Sequence, residues 1–175
     1  MLLVFTLGTP ALAQEEVFQT MGGKVSISLD YGPTSTLFQS NKLQVQLDYD
    51  NALLRAALTM NTLVNKSATG NPGGNTMPFT EITLTGKFGV DHIETSNHEP
   101  LQFEFTGVLA HAQQEIPVTG RAELQHIGGG GDVSCLLGFS FVLDKSSIPA
   151  EFTRNKDIKE IKVQVLQTVL KRRKQ

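Results

Sequence analysis

Apolar side chains recur at every second position through most of this chain. The longest run is Val133, Cys135, Leu137, Phe139, Phe141 and Leu143, and a period of two lays such groups on one face of an extended strand. Shorter runs of the same kind are Val25, Ile27, Leu29; Leu43, Val45, Leu47, Tyr49; Ala56, Leu58, Met60; Ile82, Leu84; Leu101, Phe103, Phe105; Ile116, Val118; and Ile161, Val163, Val165. The pattern predicts antiparallel strands with one dry face each. The expected strands are Lys24–Leu29, Lys42–Tyr49, Leu53–Leu63, Thr80–Val90, Leu101–Leu109, Ile116–Leu124, Val133–Leu143 and Ile158–Leu170.

Two of these segments also fit a helix. Ala, Leu and Arg in Leu53–Leu58 favour one, and Ile158, Ile161, Val165 and Val169 stand at helical spacing. The flanking turn Asp50-Asn51 argues for strand in the first case, and β-branched residues argue for it in the second. Asp30–Pro33, Asn65–Thr76, Asp91–Pro100, Gly128–Gly131 and Lys145–Asn155 are polar or rich in Gly and Pro and read as connections. About eight strands without intervening helices exclude a parallel βαβ arrangement, leaving a sandwich or a closed barrel. Closure removes exposed edges, and an eight-stranded barrel is just wide enough to fill with side chains or hold one small ligand.

Composition narrows the function classes. The chain has 175 residues, 39% hydrophobic and 18% charged, which suits one globular domain. A net charge of −2 gives no general affinity for nucleic acid, although Lys171, Arg172, Arg173 and Lys174 form a basic end that could touch an anionic membrane. Residues 1–13 read as a secretory signal peptide: Met1–Leu7 is almost wholly apolar, and Ala11-Leu12-Ala13 is an A-x-A cleavage pattern before Gln14. The expectation is therefore an exported periplasmic protein, with residues 14–175 forming a single β-barrel domain. Cys135, the sole cysteine, sits in an apolar strand series and reads as a small inert hydrophobe.

Little catalytic or metal chemistry is written in the motifs. There is no G-x-S-x-G, H-E-x-x-H or C-x-x-C. His92 and His98, six residues apart among Asp91, Glu94 and Glu99, lack a spacing that lets them share a metal ion, and no metal or cofactor is expected.

Several segments resemble the YceI-like family of lipid-binding proteins. Met77–Lys87 is similar to the family's proline-led strand, and His111 with Ile116 to its histidine after a strand. Phe139–Asp144 followed by Ile148-Pro149 resembles its penultimate strand and exit turn, and Ile158–Val165 its closing strand. Here Met77 stands where the family has an aromatic residue and Ala112 where it has a glycine after the histidine, and Asn65–Thr76 is short and Gly-rich. The resemblance implies an all-β, eight-stranded antiparallel up-and-down barrel of lipocalin-like shape that binds an isoprenoid-like or other amphiphilic lipid in its interior, without catalysis.

Candidate lining residues come from the apolar faces: Leu43, Val45, Leu47, Leu58, Met60, Phe103, Phe105, Leu137, Phe139 and Phe141, with His111 available to a polar head group. The same faces also fit plain core. Two alternatives stay open: a structural or adhesion module with a packed interior that binds through its surface, and an enzyme acting on a lipid or small carbonyl compound with His111 or a loop carboxylate as base.

Overall fold

The computed structural model describes residues 16–67, 80–95, 99–127, 134–144, 146 and 158–173. The signal peptide read at residues 1–13, Met77–Phe79, His98, Gly128–Val133, Ile148-Pro149 and Lys174 lie outside the described residues.

The strands are β1 (Val17–Asp30), β2 (Ser35–Asp48), β3 (Leu53–Thr59), β4 (Val64–Asn65), β5 (Glu81–Phe88), β6 (Leu101–His111), β7 (Gln114–Ile127), β8 (Ser134–Asp144) and β9 (Glu160–Arg172). All neighbours are antiparallel. Leaving aside the two-residue β4, which pairs with β2 at Phe38 and Gln39, each strand pairs with the next in chain order. Pairing of β1 with β9, for example Val25 with Val165, closes the sheet on itself. The fold is thus a closed eight-stranded up-and-down barrel of the lipocalin-like kind, with a single short 3₁₀ turn at Met60–Thr62 among the described residues. Both segments that also fitted a helix are strands, although the first ends at Thr59 and Met60 begins the 3₁₀ turn.

Local chemistry explains the connections. Asp30 Oδ1 accepts from the Gly32 amide at 2.6 Å, closing the turn into β2. Asp48 Oδ1 does the same for the Asn51 amide at 3.1 Å before β3. Ala112, between β6 and β7, is forced to φ 54°, a left-handed conformation that favours glycine.

β1, β2 and β9 do not keep one alternation throughout. In β2, Phe38 and Ser40 are buried and then Leu43, Val45 and Leu47; in β9, Val165 is followed by Thr168 and Leu170. Each series changes parity where the ladder slips: between Thr20, Gly23 and Val25 in the β1–β2 pairing, and opposite Leu137 and Phe139 in the β8–β9 pairing. A bulge adds one residue to a strand and turns the following side chains to the other face. Gly23 lies where these irregularities meet, with an added Cβ only 3.2 Å from the Leu43 carbonyl and 3.4 Å from Thr168 Oγ1.

The outward positions are largely polar, as with Lys24, Gln44, Arg55 and Lys87, and the apolar series points to the axis. The basic end is partly drawn into the barrel. Arg172 belongs to β9, pairs with the Glu16 carboxylate, and lies 5.7 Å over the Phe18 ring.

Candidate functional site

The barrel interior has two unlike halves. One half is filled. Phe18, Leu47, Leu54, Leu124, Leu137 and Leu170 are fully buried there, and Ile93 packs under that end by donating its amide to the Tyr49 carbonyl at 2.9 Å. Phe18 and Tyr49 are in ring contact at 4.4 Å, and the Tyr49 hydroxyl meets His126 Nε2 at 2.9 Å. Burial raises the Tyr49 phenol well above its ordinary value. Burial also pushes the Cys135 thiol, which lies beside it, up to about 11, with the Tyr49 hydrogen bond pulling the other way. Cys135 is thus a protonated, buried thiol at neutral pH, as its place in the strand series implied.

An aromatic layer ends the filled half. Phe88 and Phe103 stack at 4.9 Å, and the Phe105 ring stands edge-on to Phe139 and Phe141 at 6.0 and 6.4 Å. Two glycines make room for it: a Cβ at Gly120 would sit 2.5 Å from the Phe105 ring, and one at Gly86 would sit 3.1 Å from it.

Beyond this layer the side chains stop meeting, and a cavity of about 140 Å³ remains. Val25, Ile27 and Leu29 of β1, Phe38 and Leu43 of β2, and Ala56 and Leu58 of β3 line one side; Met60 and Leu63 follow from the 3₁₀ turn and its exit. Ile82 and Leu84 of β5, Leu109 and His111 of β6, Ile116 of β7, Phe139, Phe141 and Leu143 of β8, and Ile161, Val163 and Val165 of β9 complete it. The His111 imidazole is the one titratable group among these residues. The Thr80 hydroxyl donates to Met60 Sδ at 3.4 Å, leaving its oxygen to accept from His111 Nε2, also 3.4 Å away, when that nitrogen carries the proton. The turn between β6 and β7, the turn between β1 and β2, and the first residues of β5 and β9 all lie at this end.

Of the eleven residues expected from sequence, Leu43, Leu58, Met60, His111, Phe139 and Phe141 line the cavity together. Val45, Leu47, Phe103, Phe105 and Leu137 point inward but lie outside its lining: Val45, Leu47, Phe105 and Leu137 are packed core at 2% exposure or less, and Phe103 is half-buried in its stack on Phe88. Sequence reasoning missed Phe38 and Leu63, hidden by the bulge and the 3₁₀ turn, and passed over Ala56, Leu109, Ile116, Leu143 and the aliphatic residues of β1, β5 and β9. Counting residues back from each turn would have found the latter, because in an up-and-down barrel a level along the axis is set by distance from the turns at one end.

A larger concavity, about 660 Å³, lies across the outer face of β6–β9, with Glu104, Arg121, Glu123, Gln164 and Gln167 along it. Exposed polar groups share its surface with the exposed Leu166, so it is a mixed outer face and not an enclosed apolar site. Among the described residues no cluster of His, Cys, Asp and Glu is arranged to hold a metal ion.

The barrel is a known one. It superposes on a polyisoprenoid-binding domain from Saccharophagus degradans, implicated in plant cell wall breakdown, with a TM-score of 0.61 over 92% of this chain and 100% of that one. Identity is 8%, so the likeness is one of fold. No family model matches the sequence, and no curated protein matches it.

Proposed function

We propose that this protein binds an amphiphilic, isoprenoid-like lipid by its apolar part in the interior cavity, and carries or sequesters it without turnover. The observation behind this reading is the cavity itself: a space of about 140 Å³ lined by apolar groups and one histidine, inside a barrel folded like a polyisoprenoid-binding domain. Left vacant, such a space costs about 3 kcal/mol at ~24 cal/mol per Å³. That is a large share of an ordinary domain's ~5–15 kcal/mol. Four buried methylenes, at about 0.8 kcal/mol each, would offset it. His111, with Thr80 beside it, supplies the polar contact for a head group, which is the role this reading assigns to the one titratable residue among the described lining residues. The cavity also weighs against an adhesion module with a filled interior. Export to the periplasm is part of the proposal and is supported by the apolar stretch and A-x-A pattern of residues 1–13.

The test is solvent extraction and mass spectrometry of natively purified protein, together with uptake of a fluorescent fatty acid. The expected result is a co-purified lipid, or uptake that falls when Phe139 and Phe141 are each replaced by Ala. Protein that carries no lipid and takes up no probe would overturn the reading.

A further inference from the structure

The shape of the interior narrows the ligand further, given the reading above. The cavity does not run through the barrel. Phe139 and Phe141 line its inner end, and behind them stands the Phe105 ring, held between Gly86 and Gly120 and edge-on to both. Behind that ring Leu47, Leu124 and Leu137 are fully buried, so no free volume continues along the axis. The space on the near side, about 140 Å³, is close to the ~150 Å³ of an engineered apolar cavity that stays dry and takes up benzene.

We infer that the site takes one compact hydrocarbon group of about six carbon atoms, branched or ring-shaped, such as the terminal unit of a prenylated molecule, and not the length of a long chain. The blind floor makes the interior selective for the end of a ligand. Whatever follows that end stays at the side where His111 and Thr80 stand, outside the filled half. A barrel that swallowed a long chain would need the space now occupied by Phe105, Leu137 and Leu47.

A series of straight primary alcohols from butanol to decanol, with benzene as a compact reference, separates the two cases by titration calorimetry on the full chain. Affinity should rise about fourfold with each added carbon while carbons are being buried. It should then stay flat within about twofold from roughly the sixth carbon onward, with benzene also bound. Continued fourfold gains through decanol would overturn the size limit while leaving the lipid-binding reading intact. Failure of every alcohol and of benzene to bind would overturn that reading itself. The variant Phe105→Leu removes bulk from behind Phe139 and Phe141, so its plateau should move out by at least one carbon. An unmoved plateau in the folded variant would overturn the assignment of Phe105 as the support behind the floor, and the wild-type series still decides the size limit should the variant not fold.

Discussion

One substitution should have opposite effects in the two halves of the barrel. Ala56 lies on β3 between Val45 and Leu84, lines the cavity, and is 7% exposed; Ala122 lies on β7 between Phe103 and Phe139, in the filled half, and is 5% exposed. Leucine in place of either adds three carbons to the interior. At Ala56 they enter existing space, so their transfer from water, at about 0.8 kcal/mol per carbon, should appear as roughly 2 kcal/mol of added stability. For a chain of this size that is a rise in Tm of about 4–8 °C. Ala122 does not line the interior cavity and is flanked by Phe103 and Phe139, so overpacking should cost about 1–3 kcal/mol. Thermal and urea unfolding of lipid-free protein, followed by circular dichroism, reads both effects, and fluorescent fatty acid uptake should fall in Ala56→Leu while surviving in Ala122→Leu. Equal destabilisation by both substitutions would show that no usable space exists at Ala56. A stabilised Ala56→Leu that still took up the probe at wild-type affinity would show that the space exists but is not the site.

Ala112→Gly should stabilise the protein by about 0.5–1 kcal/mol, because Ala112 is held at φ 54° and a left-handed alanine costs ~1–2 kcal/mol, part of which returns as glycine's greater freedom in the unfolded chain; an unchanged urea midpoint would contradict this. Stability should also fall as pH rises above about 9. The Cys135 thiol is pushed up to about 11 in the fold and Tyr49 is raised as well, so the unfolded chain releases these protons first and is favoured as pH climbs from the ordinary thiol value towards 11. Urea midpoints between pH 8 and 11 test this, and Cys135→Ala should soften the first part of the decline.

Strand identity was legible because a half-buried strand writes its dry face at every second residue, and β8 does so without a break from Cys135 to Leu143. Strand extent was less so. Val17–Gly23 and Ser35–Asn41 escaped because β1 and β2 change parity at a shared irregularity, and a period of two cannot be followed across it. The helical spacing of Ile158, Ile161, Val165 and Val169 does not follow one buried face: Ile158 precedes β9, and Val169, past the bulge opposite Gly138, is exposed while Thr168 and Leu170 turn inward. The candidate site was half legible. Apolar alternation tells which side chains point to the axis, so the ten apolar candidates face inward, but it carries no information on the level at which large side chains meet across the barrel. That depends on Phe105 crossing over two glycines from neighbouring strands, a relation visible only once β5, β6 and β7 are in register. Arg172 was similarly hidden: four basic residues in a row suggest a solvated tail, and only the β1–β9 pairing brings Glu16 and Phe18 to it.

The seam between β1 and β9 joins the first described strand to the last, setting Phe18 opposite Arg172 and Asp30 opposite Glu160. As the polypeptide is synthesised, seven strands emerge and can pair before the partner that completes the cylinder exists. Until then β8 presents an unpaired edge and the greasy lumen stays open along one side, a state prone to sticking to other chains. Pairing across nearly the whole chain is also the slowest kind of contact to form. The thirteen residues of β9 therefore act as the clasp, and a cell making this protein has reason to shield it until they arrive.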